Sequence, residues 1–224
     1  MTLRGVLVRP TGRGPWPGVV MIHEVFGVDA VMQRQAVRLA SAGYLTLAVD
    51  LFSDGGAVRC LVSTMRALLS GEGRAVADIE ASRTHLLESP DCSGKVGVIG
   101  FCMGGGFALL SATAGFDVVS ANYGQLPRHL DDAFEGACPI VASYGGRDRG
   151  MRGASQRLAQ ALTRDNVVHD VKEYAAAGHS FLNDSETGPR VLRPLLRVAG
   201  VGPEPEAAAD AWARIETFFR TYLR

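Results

Sequence analysis

Cys102 stands between glycines in Gly100-Phe101-Cys102-Met103-Gly104, Asp148 lies in Gly145-Gly146-Arg147-Asp148-Arg149, and His179 lies in Ala177-Gly178-His179-Ser180-Phe181. A thiol, a carboxylate and an imidazole are a sufficient set for nucleophilic catalysis. The sulfur attacks a carbonyl, the imidazole takes and returns protons, and the carboxylate fixes the imidazole's tautomer and orientation. The glycines around Cys102 fit that use. A nucleophile on a sharp strand-to-helix turn needs small residues two positions away on either side, because chain and helix approach closely there. The stretch from Gly100 to Gly106 fits neither G-x-G-x-x-G nor G-x-x-x-x-G-K-[ST], which disfavours a phosphate loop. Each residue also has a plainer reading: Cys102 as a small buried apolar side chain, Asp148 as a turn former, and His179 as a loop histidine like His85, His129 and His169. Glu24 is a fourth candidate, either a solvated carboxylate or a group pointing into the site. His23-Glu24 opens like H-E-x-x-H, but Gly27 stands where the second histidine belongs, so no metal is expected.

The surrounding elements favour the catalytic readings. Short runs rich in β-branched or aromatic residues at Gly18 to Ile22, Tyr44 to Val49, Val96 to Phe101, Val118 to Tyr123 and Ile140 to Tyr144 predict buried parallel strands, and Val167 to Tyr174 is strand-like. Helices are predicted around Met32 to Ala40, closed by Gly43, over Ala75 to Leu87, from Ala108 to Thr113, over Ala154 to Leu162, and along the stripe Trp212, Ile215, Phe219 and Tyr222. Phe52 to Gly73 holds a possible further helix that could cover the site. Such alternation predicts an α/β fold, a mostly parallel central sheet with helices on both faces. Ligands of these sheets bind beyond the carboxyl ends of the strands, where Glu24, Cys102, Asp148 and His179 are all expected. The order nucleophile, acid, histidine is that of the α/β-hydrolase triad.

Composition sets outer bounds. With 224 residues and 47% hydrophobic content, one domain spanning 1–224 is expected. Twenty-three basic and 23 acidic residues give no net charge, so neither nucleic acid nor an anionic membrane is an expected partner. No apolar run approaches the ~20 residues of a membrane span, and Met1 to Gly5 has no signal-peptide character, which predicts a cytoplasmic protein. Cys60, Cys92, Cys102 and Cys138 form no ligand cluster and no disulfide framework. No cofactor is expected, and a monomer or weak homo-oligomer fits.

Ile22-His23-Glu24-Val25-Phe26-Gly27-Val28, Lys95 to Gly105, Tyr144 to Asp148 and Ala177 to Phe181 together resemble the dienelactone hydrolase family in order along almost the whole chain. That resemblance implies an α/β-hydrolase opening small esters, enol lactones or thioesters, with Cys102 as nucleophile, His179 as base and Asp148 as its orienter. It also implies that Glu24 holds the resting thiol and that the Val25 and Met103 amides form the oxyanion hole. Family enzymes that act on dienelactone bind its carboxylate with arginines, one of them four residues after the histidine, where this chain has Asn183. A tyrosine pair of the family is Asn122-Tyr123 here. Arg59, Tyr123, Asn122, Asn183 and Phe26 are the candidate substrate contacts. A redox-sensing thiol or a ligand-binding protein without turnover would use the same pocket. The first finds no resolving cysteine near Cys102, and the second leaves an intact Cys, His and Asp set unexplained.

Overall fold

The apolar runs form strands β1 (Arg4–Val8), β2 (Trp16–Ile22), β3 (Leu45–Asp50), β4 (Cys92–Phe101), β5 (Val119–Asn122), β6 (Ile140–Gly145) and β7 (His169–Tyr174). In this computed structural model, which describes residues 2–224, they make one seven-stranded sheet in the order β1-β3-β2-β4-β5-β6-β7. Met1, which opens the N-terminal reading, lies outside the described residues. Only β1 runs antiparallel, pairing with β3 from Arg4 opposite Asp50 to Val8 opposite Thr46. The other pairings are parallel.

The helices are α1 (Ala30–Ser41), α2 (Ala57–Ser70), α3 (Arg74–Leu87), α4 (Met103–Leu110), α5 (Ala154–Arg164), α6 (Arg193–Val198) and α7 (Pro205–Leu223). Successive strand residues point to opposite faces and feed two separate cores. Val20, Ile22, Val96 and Val98 pack with Leu86, Phe107 and Leu158 on one face; Val19, Met21, Ile99 and Phe101 pack with Met32, Leu39, Trp212 and Phe219 on the other. Thus α1 and α7 cover one side, and α2 to α5 the other. Among the described residues no helix is long and apolar enough to cross a membrane.

Three elements differ from the sequence reading. β1 and α6 were not anticipated, and α4 starts at Met103, immediately after Cys102, not at Ala108. Gly104, Gly105 and Gly106 disguised the start, since glycine disfavours helix interiors. Packing overrides that preference here. A Cβ on Gly105 would lie 2.6 Å from the Asn122 carbonyl oxygen, and one on Gly106 would lie 2.9 Å from Leu68 of α2. The segment expected to contain a possible helix between 52 and 73 does so, as α2.

Candidate active site

β2 has β3 on one side and β4 on the other, so the chain leaves this part of the sheet in two directions. The carboxyl ends of β2 and β4 bound the crevice where such sheets bind ligands. The turn after β2 carries Glu24, Val25 and Phe26; the turn after β4 carries Cys102.

Cys102 has φ 54° and ψ −117°, outside the regions a side chain ordinarily prefers, at a cost on the order of 1–3 kcal/mol. Surrounding backbone holds it there: its N–H donates to the Asn122 carbonyl at 3.0 Å, and its own carbonyl accepts from Gly106 N–H at 3.2 Å. A Cβ on Gly100 would run into the Gly104 carbonyl, and one on Gly104 into the Ile22 carbonyl. Both glycines are therefore steric requirements of the turn. The Met103 amide opens α4, and among the described residues neither it nor the Val25 amide has an internal hydrogen-bond partner.

His179 is fixed by its backbone. Its N–H donates to the Gly200 carbonyl, and its carbonyl accepts from Gly202 N–H, both at 2.9 Å. Its Nδ1 lies 2.5 Å from Asp148 Oδ2, while Asp148 Oδ1 accepts from Gly150 N–H at 3.0 Å. Burial opposes charge on the Asp148 carboxyl, but hydrogen bonds from His179 and from the backbone of Gly150 and Met151 hold it below the usual carboxylate range. Burial likewise opposes an imidazolium at His179. The hydrogen bonds to Asp148 and Cys102, with the electrostatic pull of the Asp148 carboxylate, outweigh it and push the imidazole up to about 10.

Glu24 is buried and engaged elsewhere than expected. Its Oε1 accepts from Ser180 Oγ at 2.8 Å and its Oε2 from Asn183 Nδ2 at 3.2 Å. Among the described residues no hydrogen bond joins it to Cys102, the thiol it is expected to hold; Ser180 and Asn183 are its donors. Burial raises its pKa above the ordinary value, against the Ser180 hydrogen bond, the nearby His179 and the Asn183 hydrogen bond. Neighbouring His23 is structural, with Nδ1 donating to the Glu24 carbonyl at 2.6 Å and Nε2 accepting from Leu51 N–H at 3.1 Å. It ties the end of β2 to the residue after β3.

The candidate substrate contacts divide. Tyr123 is buried at φ 42°, its ring 5.0 Å from that of His179 and its hydroxyl directed at the Glu24 carboxyl. Phe26 lines a cleft of about 540 Å³ with Val31, Ala57, Pro189 and Arg193. Arg59 is exposed on α2 beside Gly55. Asn122 is wholly buried, and its amide donates to the Gly100 carbonyl and Ser120 Oγ, each at 3.2 Å. Through these bonds it supports the turn that carries Cys102. Asn183 is also buried, held against Glu24. Ser180 carried no role in the sequence reading, although it follows His179 directly; its position in Gly178-His179-Ser180-Phe181 was the available signal.

Comparison with known proteins places this arrangement. The dienelactone hydrolase family matches residues 3–223. The chain belongs to the dienelactone hydrolase family. It is 31% identical to a carboxymethylenebutenolidase of Pseudomonas putida over 82% of this chain and 83% of that protein. A carboxymethylenebutenolidase of Rhodococcus opacus is 29% identical over 92% and 81% of the two chains. Among solved structures, a dienelactone hydrolase-like promiscuous phosphotriesterase from metagenomic libraries superposes with a TM-score of 0.80 at 23% identity, covering 100% of this chain and 99% of that one. Its likeness to this chain is one of fold. A dienelactone hydrolase-type protein with this sheet is an α/β-hydrolase and an ester- or lactone-cleaving enzyme.

Proposed function

We propose that this dienelactone hydrolase cleaves esters, enol lactones or thioesters of small molecules through a Cys102-His179-Asp148 triad and an acyl-cysteine intermediate. The observation that carries the reading is the His179 to Asp148 contact of 2.5 Å beside a nucleophile held at positive φ. His179 takes the Cys102 thiol proton, which leaves an imidazolium beside the thiolate. The sulfur attacks the substrate carbonyl, and the oxyanion is met by the Val25 and Met103 amides. Collapse expels the alkoxide, which takes the His179 proton and leaves a thioester. Acylation removes the charge on sulfur that helped retain that proton, so the now neutral imidazole accepts one from water. Hydroxide adds to the thioester, the thiolate departs, and the carboxylic acid is released with the ion pair restored. An amide nitrogen competes poorly with thiolate as a leaving group, which makes peptides poor substrates.

The test is a panel of p-nitrophenyl esters, thioesters and enol lactones with wild type, Cys102→Ala and His179→Ala, together with mass spectrometry of protein quenched during turnover. Both variants lose turnover, and wild type gains the acyl mass on Cys102. Variants that match wild type on every substrate turned over would refute the triad. Peroxide consumption without ester turnover would favour a redox role for the thiol.

A further inference from the structure

Nine large apolar side chains are exposed among the described residues, and six of them stand on two elements that border one cleft. Val58, 97% exposed, and Val62 lie one turn apart on α2, whose first residue, Ala57, lines the cleft. Val191, Leu192, Leu195 and Val198 lie on or just before α6, and Pro189 and Arg193 belong to the same lining. Helix α6 buries no residue at all. Such clustering on a folded chain marks a surface that something covers.

The same two elements are basic. α2 carries Arg59 and Arg66, the 187–203 stretch carries Arg190, Arg193 and Arg197, and neither contains an acid, in a chain of zero net charge. Arg197 pairs with Glu186; among the described residues Arg59, Arg66, Arg190 and Arg193 have no ion-pair partner. The carboxylates in the cleft are already engaged, Asp29 by the Met32 amide and the Thr187 hydroxyl, Glu186 by Arg197. Exposed apolar side chains among unpaired arginines suit a partner that is both anionic and apolar. An anionic bilayer offers headgroups to the guanidiniums and acyl chains to the valines and leucines. A second copy suits the face less well, since a shared interface would set these arginines against their equivalents.

We propose that α2 and the α6 segment form a docking surface for anionic lipid bilayers, on which the enzyme rests without crossing. Net charge, which argued against an anionic membrane as partner, averages over the whole chain; attraction to a surface depends on the charges within a Debye length of it, ~8–10 Å. The apolar residues enter to the level where headgroups meet acyl chains, and the arginines stay among the headgroups. The docking does not depend on which residue is the nucleophile.

Co-sedimentation of the full chain with vesicles of phosphatidylcholine, alone or with about one third phosphatidylglycerol, tests this at about 0.1 M and about 1 M salt. The chain binds the anionic vesicles, at least about tenfold more weakly the neutral ones, and loses affinity at high salt. Arg190→Gln lowers the partition coefficient by a factor of about five, the worth of one arginine near an anionic surface. Leu195→Ser combined with Val198→Ser lowers it at least about tenfold. In Leu195→Trp, emission shifts to the blue on anionic vesicles and is quenched by brominated acyl chains, relative to wild type. These side chains are exposed, so Tm stays as in wild type and a loss of binding is not a loss of fold. No binding, equal binding to neutral vesicles, or binding that neither salt nor these variants weaken would overturn the proposal. So would a concentration-dependent dimer in sedimentation velocity that the Leu195→Ser and Val198→Ser pair abolishes, which gives the face to a second copy.

Discussion

Burial opposes an imidazolium at His179, but its contacts with Asp148 and Cys102 push the imidazole up to about 10. Two measurements follow. By NMR, the His179 ring titrates near 10 in wild type and at lower pH in Cys102→Ala, because removing the sulfur takes away a hydrogen bond that favours the imidazolium. The linkage to stability has a definite sign. The folded value lies above the ordinary 6.5, so protonation favours the fold; the contribution is full below about 6.5 and is lost as pH rises through about 10. Urea midpoints of wild type relative to His179→Gln narrow over that window. Asp148→Asn keeps the shape of the side chain and removes its charge, so both the ring's orientation and its raised pKa suffer. Turnover falls by roughly three to four orders of magnitude, measured as kcat on the best ester, with little change in KM.

At the scale of elements, the strand ends made the site legible. Cys102, Asp148 and Glu24 each follow a predicted strand, and the glycines around Cys102 announce a close approach that the structure bears out at Gly100 and Gly104. What stayed hidden was set by tertiary packing. β1 is short, at the sheet edge and largely exposed, with little apolar signal, and α6 is a single short helix with no buried residue to generate a periodic stripe. Helix α4 was obscured by the glycines that let it sit on the sheet. The pairing of Glu24 with Ser180 and Asn183 spans more than 150 residues of sequence, and no local pattern marks it. The steric argument at the turn gives a sharp outcome: Gly104→Ala forces a methyl group into the Ile22 carbonyl. It lowers unfolding free energy by about 3 kcal/mol in urea titration and reduces Cys102 alkylation by iodoacetamide. Val58→Ala, at an exposed position of α2, changes neither.

Across the whole molecule, the C-terminal helix reaches the site through rings. Trp212 of α7 lies 6.1 Å from Phe101, Phe101 lies 6.4 Å from Tyr123, and Tyr123 lies 5.0 Å from His179, measured between ring centroids. The Arg38 guanidinium of α1 caps this stack 4.6 Å above the Trp212 ring. Trp212→Ala opens a cavity beneath Phe101, the residue before Cys102, and costs roughly 3–5 kcal/mol, seen as a fall in Tm. Activity also declines at temperatures where the variant is still folded, which a purely global loss of stability would not produce. The backbone packing around Cys102 has a further consequence, for how this enzyme can diversify. Gly100, Gly104, Gly105 and Gly124 meet neighbouring main chain with no side chain between, leaving no intermediate sizes for mutation to sample. A mutational library gains nothing there; change has to come from side chains outside these contacts, which can vary one methyl group at a time while Cys102 stays where it is.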